Sequence, residues 1–339
     1  MAKKNSIEEI IASEFGVGIL TGGQSIIDTD SVVIPVSPKA DMGLGGGIPE
    51  GCFVIFTGPP KVGKSATALD FAATAQQIQY ACDIGRKEGR HVYYSSIEGR
   101  LKKRDLEGVK HMDCSKERLS IIQSKPGHIL TAENYIDINE RLINEKPGDI
   151  FIIDSFSALC TAGEMKADIG DRYRADAPVL LAKFCRRISN VVPINKSIVI
   201  GVTHLIANQG MGMSQWSEAS GRKIQYQSDV KLKATHCTPW MVGENQIGQD
   251  INWIVEWNAL NAPRNGKFVS KFRYGYGLDK CAELLEISVD LGLITKGGAW
   301  YTFPDGSKFQ GLEKASEALR ADKKLFASLY KDIRGMMGL

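Results

Sequence analysis

The sequence predicts an α/β fold: a mostly parallel sheet built around a phosphate-binding loop, with a short N-terminal helical segment and a small α+β C-terminal domain. Three observations carry this expectation. The stretch TGPPKVGKSATALD, Thr57 to Asp70, fits the loop pattern G-x-x-x-x-G-K-[ST]. From Gly51 onward, short apolar runs alternate with helix-like segments. Beyond Leu278 the pattern changes to helix, hairpin and helix.

The elements follow in order. Ser6 and Glu9 form a capping box, Ile7, Ile10, Ile11 and Phe15 recur at helical spacing, and Gly16 and Gly18 stop the helix. So short an amphipathic helix, separated from the core by TGGQSIIDTD, either folds back on its own core or docks on a neighbour, and residues 1–34 are set apart on that ground. FVIFTG, HVYYSSIE, LSIIQS, IFIIDS and SIVIGVTH are strand candidates, with helices expected near 64–83, 131–144 and 176–191. Near-continuous apolar strands separated by helices indicate a parallel sheet covered on both faces. VKLKATH, INWIVEWNAL and KFVSKFRYG alternate as an antiparallel extension would, which completes a core over 35–278. In 279–339, CAELLEISVDLGLI reads as a helix, GGAWYTFPDGSKF as a hairpin with a D-G turn, and 312–335 as one or two helices.

Composition narrows the functional class. Apolar residues make up 43 % of the 339, with no run long enough for a membrane span. MAKKNSIEEIIASEF lacks the apolar stretch of a secretion signal, so a cytoplasmic protein is expected. The net charge of +3 does not argue for nucleic acid by itself, so DNA-binding groups must be local and carried by loops. Seven scattered cysteines without a C-x-x-C pair read as reduced thiols, and His111 with Cys114 in HMDC lacks the second pair a zinc site needs.

The loop makes specific chemical demands. Gly58 and Gly63 let the backbone curl so that N–H groups face phosphate oxygens, and the nucleotide contacts are expected from Gly58, Pro59, Pro60, Lys61, Val62, Gly63, Lys64, Ser65 and Ala66. Lys64 would reach the β- and γ-phosphates. Ser65 would offer its hydroxyl to Mg²⁺, and Asp154, ending IFII, would hold a metal-bound water beside it. An ordinary helix cap is the alternative for Asp154. Glu98 follows the strand HVYYSSI, expected beside the loop strand, and is placed to orient or deprotonate the attacking water. His204, ending SIVIGVTH, would stand on the same edge and contact the γ-phosphate; taken alone, such a histidine is more often structural.

These residues resemble the RecA family of DNA recombinases, most closely its bacterial and phage members, over almost the whole chain. GGGIPEGCFVIFTGPPKVGKS looks like the family's entry strand and loop, SSIEGR holds the catalytic glutamate position, IFIIDSFSAL matches the Asp-Ser segment, and GVTHL matches the γ-phosphate sensor. LGLITKGGAWYTF is similar to the bacterial C-terminal domain, which ring helicases of this fold lack. The resemblance implies a RecA-like core, ATP and Mg²⁺ as cofactors, DNA-dependent ATP hydrolysis, and helical filaments of this chain on single-stranded DNA. Duplex DNA, single-strand-binding proteins and loaders would be further partners. It also implies that the loops after Asp154 and His204 hold DNA. The first, Gly163 to Ala175, carries Lys166, Arg172, Tyr173 and Arg174. The second, Ile206 to Gln227, carries Gln209, Gly210, Met211, Met213, Trp216, Gly221, Arg222 and Lys223. Glycine, cation and stacking group are the make-up such loops require. Arg186 matches a phosphate-contacting position, and the N-terminal helix would dock on the adjacent core.

The pattern departs from the family in places. Trp257 and Ala259 stand where bacterial members carry lysines that cross the subunit interface, so Arg264, Arg273 or a nearby lysine would have to substitute. LKKRDLEG lacks the aromatic residue that stacks on adenine. The end YKDIRGMMGL lacks the acidic tail of many bacterial members, and Arg320, Lys323 and Lys324 before it would guide duplex DNA or form a solvated face. The missing tail and His204 in place of Gln point to the phage type. Two other readings stay open at this point: a structural or accessory filament protein with little turnover, and a ring-forming helicase motor.

Overall fold

The computed structural model of the protein describes residues 6–29, 31–78, 89–168, 176–207, 216–218, 227–259 and 266–339. The chain divides into two compact units, Met1–Val32 and Val33–Leu339. In the first unit, α1 (Ile7–Phe15) opens with the capping box: Glu9 N–H donates to Ser6 Oγ at 3.2 Å and Ser6 N–H to Glu9 Oε2 at 3.0 Å. Its apolar residues Ile7 and Phe15 are exposed. A one-turn helix, α2 (Gly23–Ile27), follows.

The second unit begins with β1 (Val33–Ile34), α3 (Pro38–Leu44) and β2 (Ile48–Pro49). The loop strand β3 (Phe53–Thr57) leads into α4 (Lys64–Ala75), then come β4 (Val92–Ser96), α5 (Lys103–Glu107), β5 (Leu119–Ile122), α6 (Ala132–Glu145) and β6 (Ile150–Asp154). After a 3-10 turn at Phe156–Ala158 lie α7 (Ala162–Lys166), α8 (Ala177–Ile188), α9 (Val191–Ile194) and β7 (Ile198–Val202). β8 (Leu205–Ala207) pairs with β9 (Trp216–Glu218), and β10 (Val230–Val242), β11 (Asn245–Asn258), β12 (Lys267–Arg273) and β13 (Gly277–Leu278) complete the large sheet.

That sheet has nine strands in the order β13-β12-β11-β10-β3-β7-β6-β4-β5. Neighbours from β10 to β5 are parallel, and β11 to β13 add antiparallel. Phe53, Ile55, Tyr93, Phe151 and Ile153 point from one face into a buried cluster with Tyr135 and Ile143 of α6 and Leu181 and Phe184 of α8. On the sheet, α4 packs against β3, β6 and β7. Fully buried strands on a sheet covered this way account for runs that are apolar throughout.

Several expectations need correction. β4 does not neighbour the loop strand β3: β7 and β6 lie between them. A crossover can land beyond the adjacent slot, and later strands then fill the gap. VKLK pairs in parallel with β3, Val230 opposite Val54, so the antiparallel extension starts only at β11. The helix expected near 64–83 ends at Ala75, with residues 79–88 outside the described part; 176–191 is broken at Ser189 and Asn190 into α8 and α9.

The C-terminal portion consists of α10 (Lys280–Asp290), a three-stranded sheet of β14 (Thr295–Gly297), β15 (Trp300–Thr302) and β16 (Lys308–Gln310), and helices α11 (Leu312–Ala321) and α12 (Lys323–Met336). The Asp305–Gly306 turn joins β15 and β16, and Asp305 Oδ1 accepts from Ser307 N–H at 2.9 Å. Leu284, Leu285, Tyr301, Phe303, Leu319 and Ile333 form its own apolar core. Polar bolts fasten it to α3 and β12. Tyr330 donates to Asp41 at 2.6 Å, Arg334 to the Gly46 carbonyl at 2.9 Å, and Glu283 accepts from the N–H groups of Lys39 and Lys271.

Candidate functional site

The site stands at the carboxyl ends of β3, β4, β6 and β7, where a parallel sheet gathers its loops. Gly58 has φ +149°, and a Cβ there would lie 2.4 Å from the Ala234 carbonyl of β10. Gly63 has φ +105°, and its Cβ would meet Ile251 at 2.4 Å. Only glycine fits at either position. Lys61, between them and exposed, also takes a left-handed conformation, φ 62°. Behind the loop, Gln249 of β11 donates to the Val62 carbonyl at 3.5 Å.

Gly63 then hands the chain to α4, whose first-turn N–H groups at Lys64, Ser65 and Ala66 precede any intrahelical acceptor and so face an anion. Lys64 is 3 % exposed and its Nζ donates to the carbonyls of Gly58 at 2.9 Å and Pro59 at 2.6 Å. Burial pulls its ammonium down to about 8, against the opposing charges of Asp154 and Glu98. An anionic ligand would relieve that cost. The glycine cradle, the free helix terminus, the buried lysine, the Ser65 hydroxyl and the Asp154 carboxylate together fit a nucleoside triphosphate with Mg²⁺.

Two hydrogen-bonded groups complete the site. Glu98 Oε1 accepts from His204 Nε2 at 2.8 Å and from Ser155 Oγ at 2.9 Å, while Arg100 stands 3.7 Å from Oε2. Burial favours the neutral acid, but these hydrogen bonds and the nearby positive charge outweigh it and hold the carboxyl below its usual range. His204 is itself oriented by its backbone N–H, which donates to Ser157 Oγ at 2.8 Å. Asp154 Oδ2 accepts from the Tyr94 hydroxyl at 2.5 Å. Burial first, then the facing carboxylate, raises the Tyr94 phenol far above its ordinary value, so it remains a donor.

The structure therefore brings Lys64, Glu98, Asp154 and His204 to one edge, with Glu98 and His204 touching although their strands β4 and β7 are separated by β6. Sequence reasoning missed Tyr94, Ser155, Ser157 and Gln249. A hydroxyl two residues before Ser96 and two serines after Asp154 were the available signals, and Gln249 left none.

The expected DNA-binding residues are only partly in view. Lys166 ends α7 and is exposed, so residues 163–166 of the first loop are helical, capped by Thr161 with Glu164. Arg186 is exposed on α8, opposite its buried Leu181, Phe184, Cys185 and Ile188. Arg172, Tyr173, Arg174, Gln209, Gly210, Met211, Met213, Gly221, Arg222 and Lys223 lie outside the described residues, and of Trp216 only the backbone is described, in β9. The base of the second loop is a ladder with Leu205 opposite Glu218 and Ala207 opposite Trp216.

Of the candidates for the missing interface lysines, Arg264 is outside the described residues and Arg273 is engaged with Glu313 and Asp279. Trp257 donates its indole N–H to Ser228 and carries Lys231 4.8 Å above its ring. Arg320 is not an open DNA contact either: it pairs with Asp279 at 2.8 Å and lies 4.8 Å over the Tyr276 ring. His111 packs edge-on against that ring at 5.4 Å. No helix among the described residues is long and apolar enough to cross a membrane.

The RecA N-terminal domain family matches residues 3–279 and the RecA C-terminal domain family residues 282–338. The chain is 26 % identical to Protein RecA of Oceanobacillus iheyensis, over 96 % of this chain and 89 % of that one. It is 29 % identical to the chromosomal Protein RecA of Lactococcus lactis, over 97 % and 82 %, and 28 % identical to Protein RecA of Streptococcus pneumoniae, over 99 % and 83 %.

Proposed function

The chain belongs to the RecA family, and from that premise we propose that it is a DNA-dependent ATPase that forms helical filaments on single-stranded DNA and catalyses homologous pairing and strand exchange. The observation that carries this reading is the Glu98–His204 contact beside Lys64 and Asp154. Lys64 and the first-turn N–H groups of α4 bind the phosphates of ATP. Ser65 and, through a metal-bound water, Asp154 would hold Mg²⁺, which would neutralise charge on the phosphates. Glu98, kept ionised, orients the attacking water and accepts its proton.

His204 couples hydrolysis to DNA. One peptide links it to β8, whose ladder with β9 closes the base of the second loop. A γ-phosphate that draws His204 away from Glu98 moves that ladder, so the grip on DNA follows nucleotide state. Lys166, Arg186 and the cations at 172, 174, 222 and 223 supply the phosphate contacts, and Tyr173, Met211 and Trp216 the stacking groups. His204 in place of the bacterial Gln supports a phage-type member, at work in the cytoplasm beside single-strand-binding and loader proteins.

A filament with little turnover is the second reading, favoured by Trp257, which offers no cation at its position. Replacing Glu98 with Gln separates the two. The amide still accepts from His204 and Ser155, so folding and nucleotide binding persist, while DNA-stimulated hydrolysis falls about a hundredfold or more. A wild type as slow as Glu98→Gln establishes the low-turnover filament instead.

A further inference from the structure

Tyr94 lies in the middle of β4 and is 3 % exposed. Strands β4 and β6 run parallel with Tyr94 opposite Ile152 and Ser96 opposite Asp154, so Tyr94 is the diagonal neighbour of Asp154. That diagonal is about 7–8 Å between backbones, a span that aromatic or long side chains can bridge. The Tyr94 hydroxyl bridges it and donates to Asp154 Oδ2 at 2.5 Å.

The core does not require this hydroxyl. Phenylalanine would fill the same volume without the cost of desolvating an O–H group. The hydroxyl's effect falls on Asp154. With Oδ2 engaged, the carboxylate is held in one orientation and its other oxygen is left for a further partner.

We propose that Tyr94 is a positioning residue that aims the Asp154 carboxylate at the Mg²⁺ of the nucleotide, and so sets metal affinity without touching nucleotide or metal. The inference rests on the ATPase reading above. Partners that orient a metal-side carboxylate commonly govern metal affinity by about tenfold or more.

The test is Tyr94→Phe, which keeps the ring. Mn²⁺ binding is followed by electron paramagnetic resonance with a non-hydrolysable ATP analogue present, and analogue affinity is measured separately in EDTA. The expected result is an apparent Mn²⁺ affinity about tenfold weaker, with metal-free nucleotide affinity unchanged. In an Asp154→Asn background, Tyr94→Phe then adds nothing further, since it acts through that carboxylate. An unchanged Mn²⁺ midpoint overturns the proposal. So does a parallel loss of metal-free nucleotide affinity, which marks a merely structural role, or an undiminished effect beside Asp154→Asn. If the wild type itself gains no nucleotide affinity from Mn²⁺, the ATPase reading falls instead, a result distinct from all of these.

Discussion

Gly201 offers a route from the apolar core to the chemistry. It lies in β7 between Ile55 of β3 and Ile153 of β6. An added Cβ would stand 2.0 Å from Cε2 of Phe156, 2.8 Å from Cδ2 and 2.9 Å from Cζ. Ordinary carbon contacts need about 3.5–4.0 Å, so in Gly201→Ala the ring must retreat by roughly 1.5 Å. It cannot do so freely, because Phe156 packs edge-on against Phe53 at 6.4 Å inside a close-packed cluster. The strain therefore passes along the turn to Ser155, which holds Glu98, and Ser157, which holds His204. Overpacking of this kind costs about 1–3 kcal/mol of stability. A misplacement of about 1 Å at a catalytic group lowers turnover by about a hundredfold. Phosphate release with saturating single-stranded DNA reads the second effect and thermal unfolding the first. Nucleotide affinity stays near wild type, since Gly58 and Gly63 pack against β10 and β11 and Lys64 is held by the loop's own carbonyls. Phe156→Leu in the same chain returns part of both losses, as a coupled pair should. Wild-type turnover and melting in Gly201→Ala, or no recovery in the double variant, would refute this line of force.

Two further predictions concern the C-terminal portion. Burial raises Asp41 to about 7, against hydrogen bonds from Tyr330 and the Val36 N–H, and burial likewise raises Glu283 to about 7. In the unfolded chain both titrate near their ordinary values of 3.8 and 4.5, so between about pH 4 and about pH 7 the folded state binds more protons. Stability is then highest at the acid end of this window and falls as pH rises through it; Asp41→Asn with Glu283→Gln flattens the melting-temperature profile, and an unaltered slope counts against the assignment. Arg320→Ala lowers stability by roughly 1–2 kcal/mol, because it strips the buried Asp279 of its closest cation, yet leaves the salt dependence of DNA binding unchanged; a shallower salt slope would restore Arg320 as a DNA contact.

The parts legible in advance were those that the chain specifies over a few consecutive residues. The loop needs left-handed or closely approached backbone at Gly58 and Gly63, and a lysine and hydroxyl at the start of a helix, so its chemistry is written in one stretch. The capping box at Ser6 and the Asp305–Gly306 turn are equally local. The acids and the histidine that end the apolar strands could be named for a related reason: a parallel sheet collects its strand ends on one edge whatever the order of its strands.

The order itself was not legible. Near-continuous apolar strands carry no mark of which neighbour they choose, so the expected pairing of β4 with β3 gives way to β7 and β6 between them. From that order come the contacts that decide the site's behaviour: Glu98 on His204 across 106 residues, Tyr94 on Asp154 across 60, and the Phe156 ring in the space that Gly201 leaves open. Arg273 and Arg320, which read as available cations, are taken up by Glu313 and Asp279 for the same reason. The sequence by itself determined which groups the candidate site would possess, since backbone conformation and strand termini are short-range properties. Tertiary structure alone decided which of those groups hold one another, because pairing between distant residues depends on where each crossover lands.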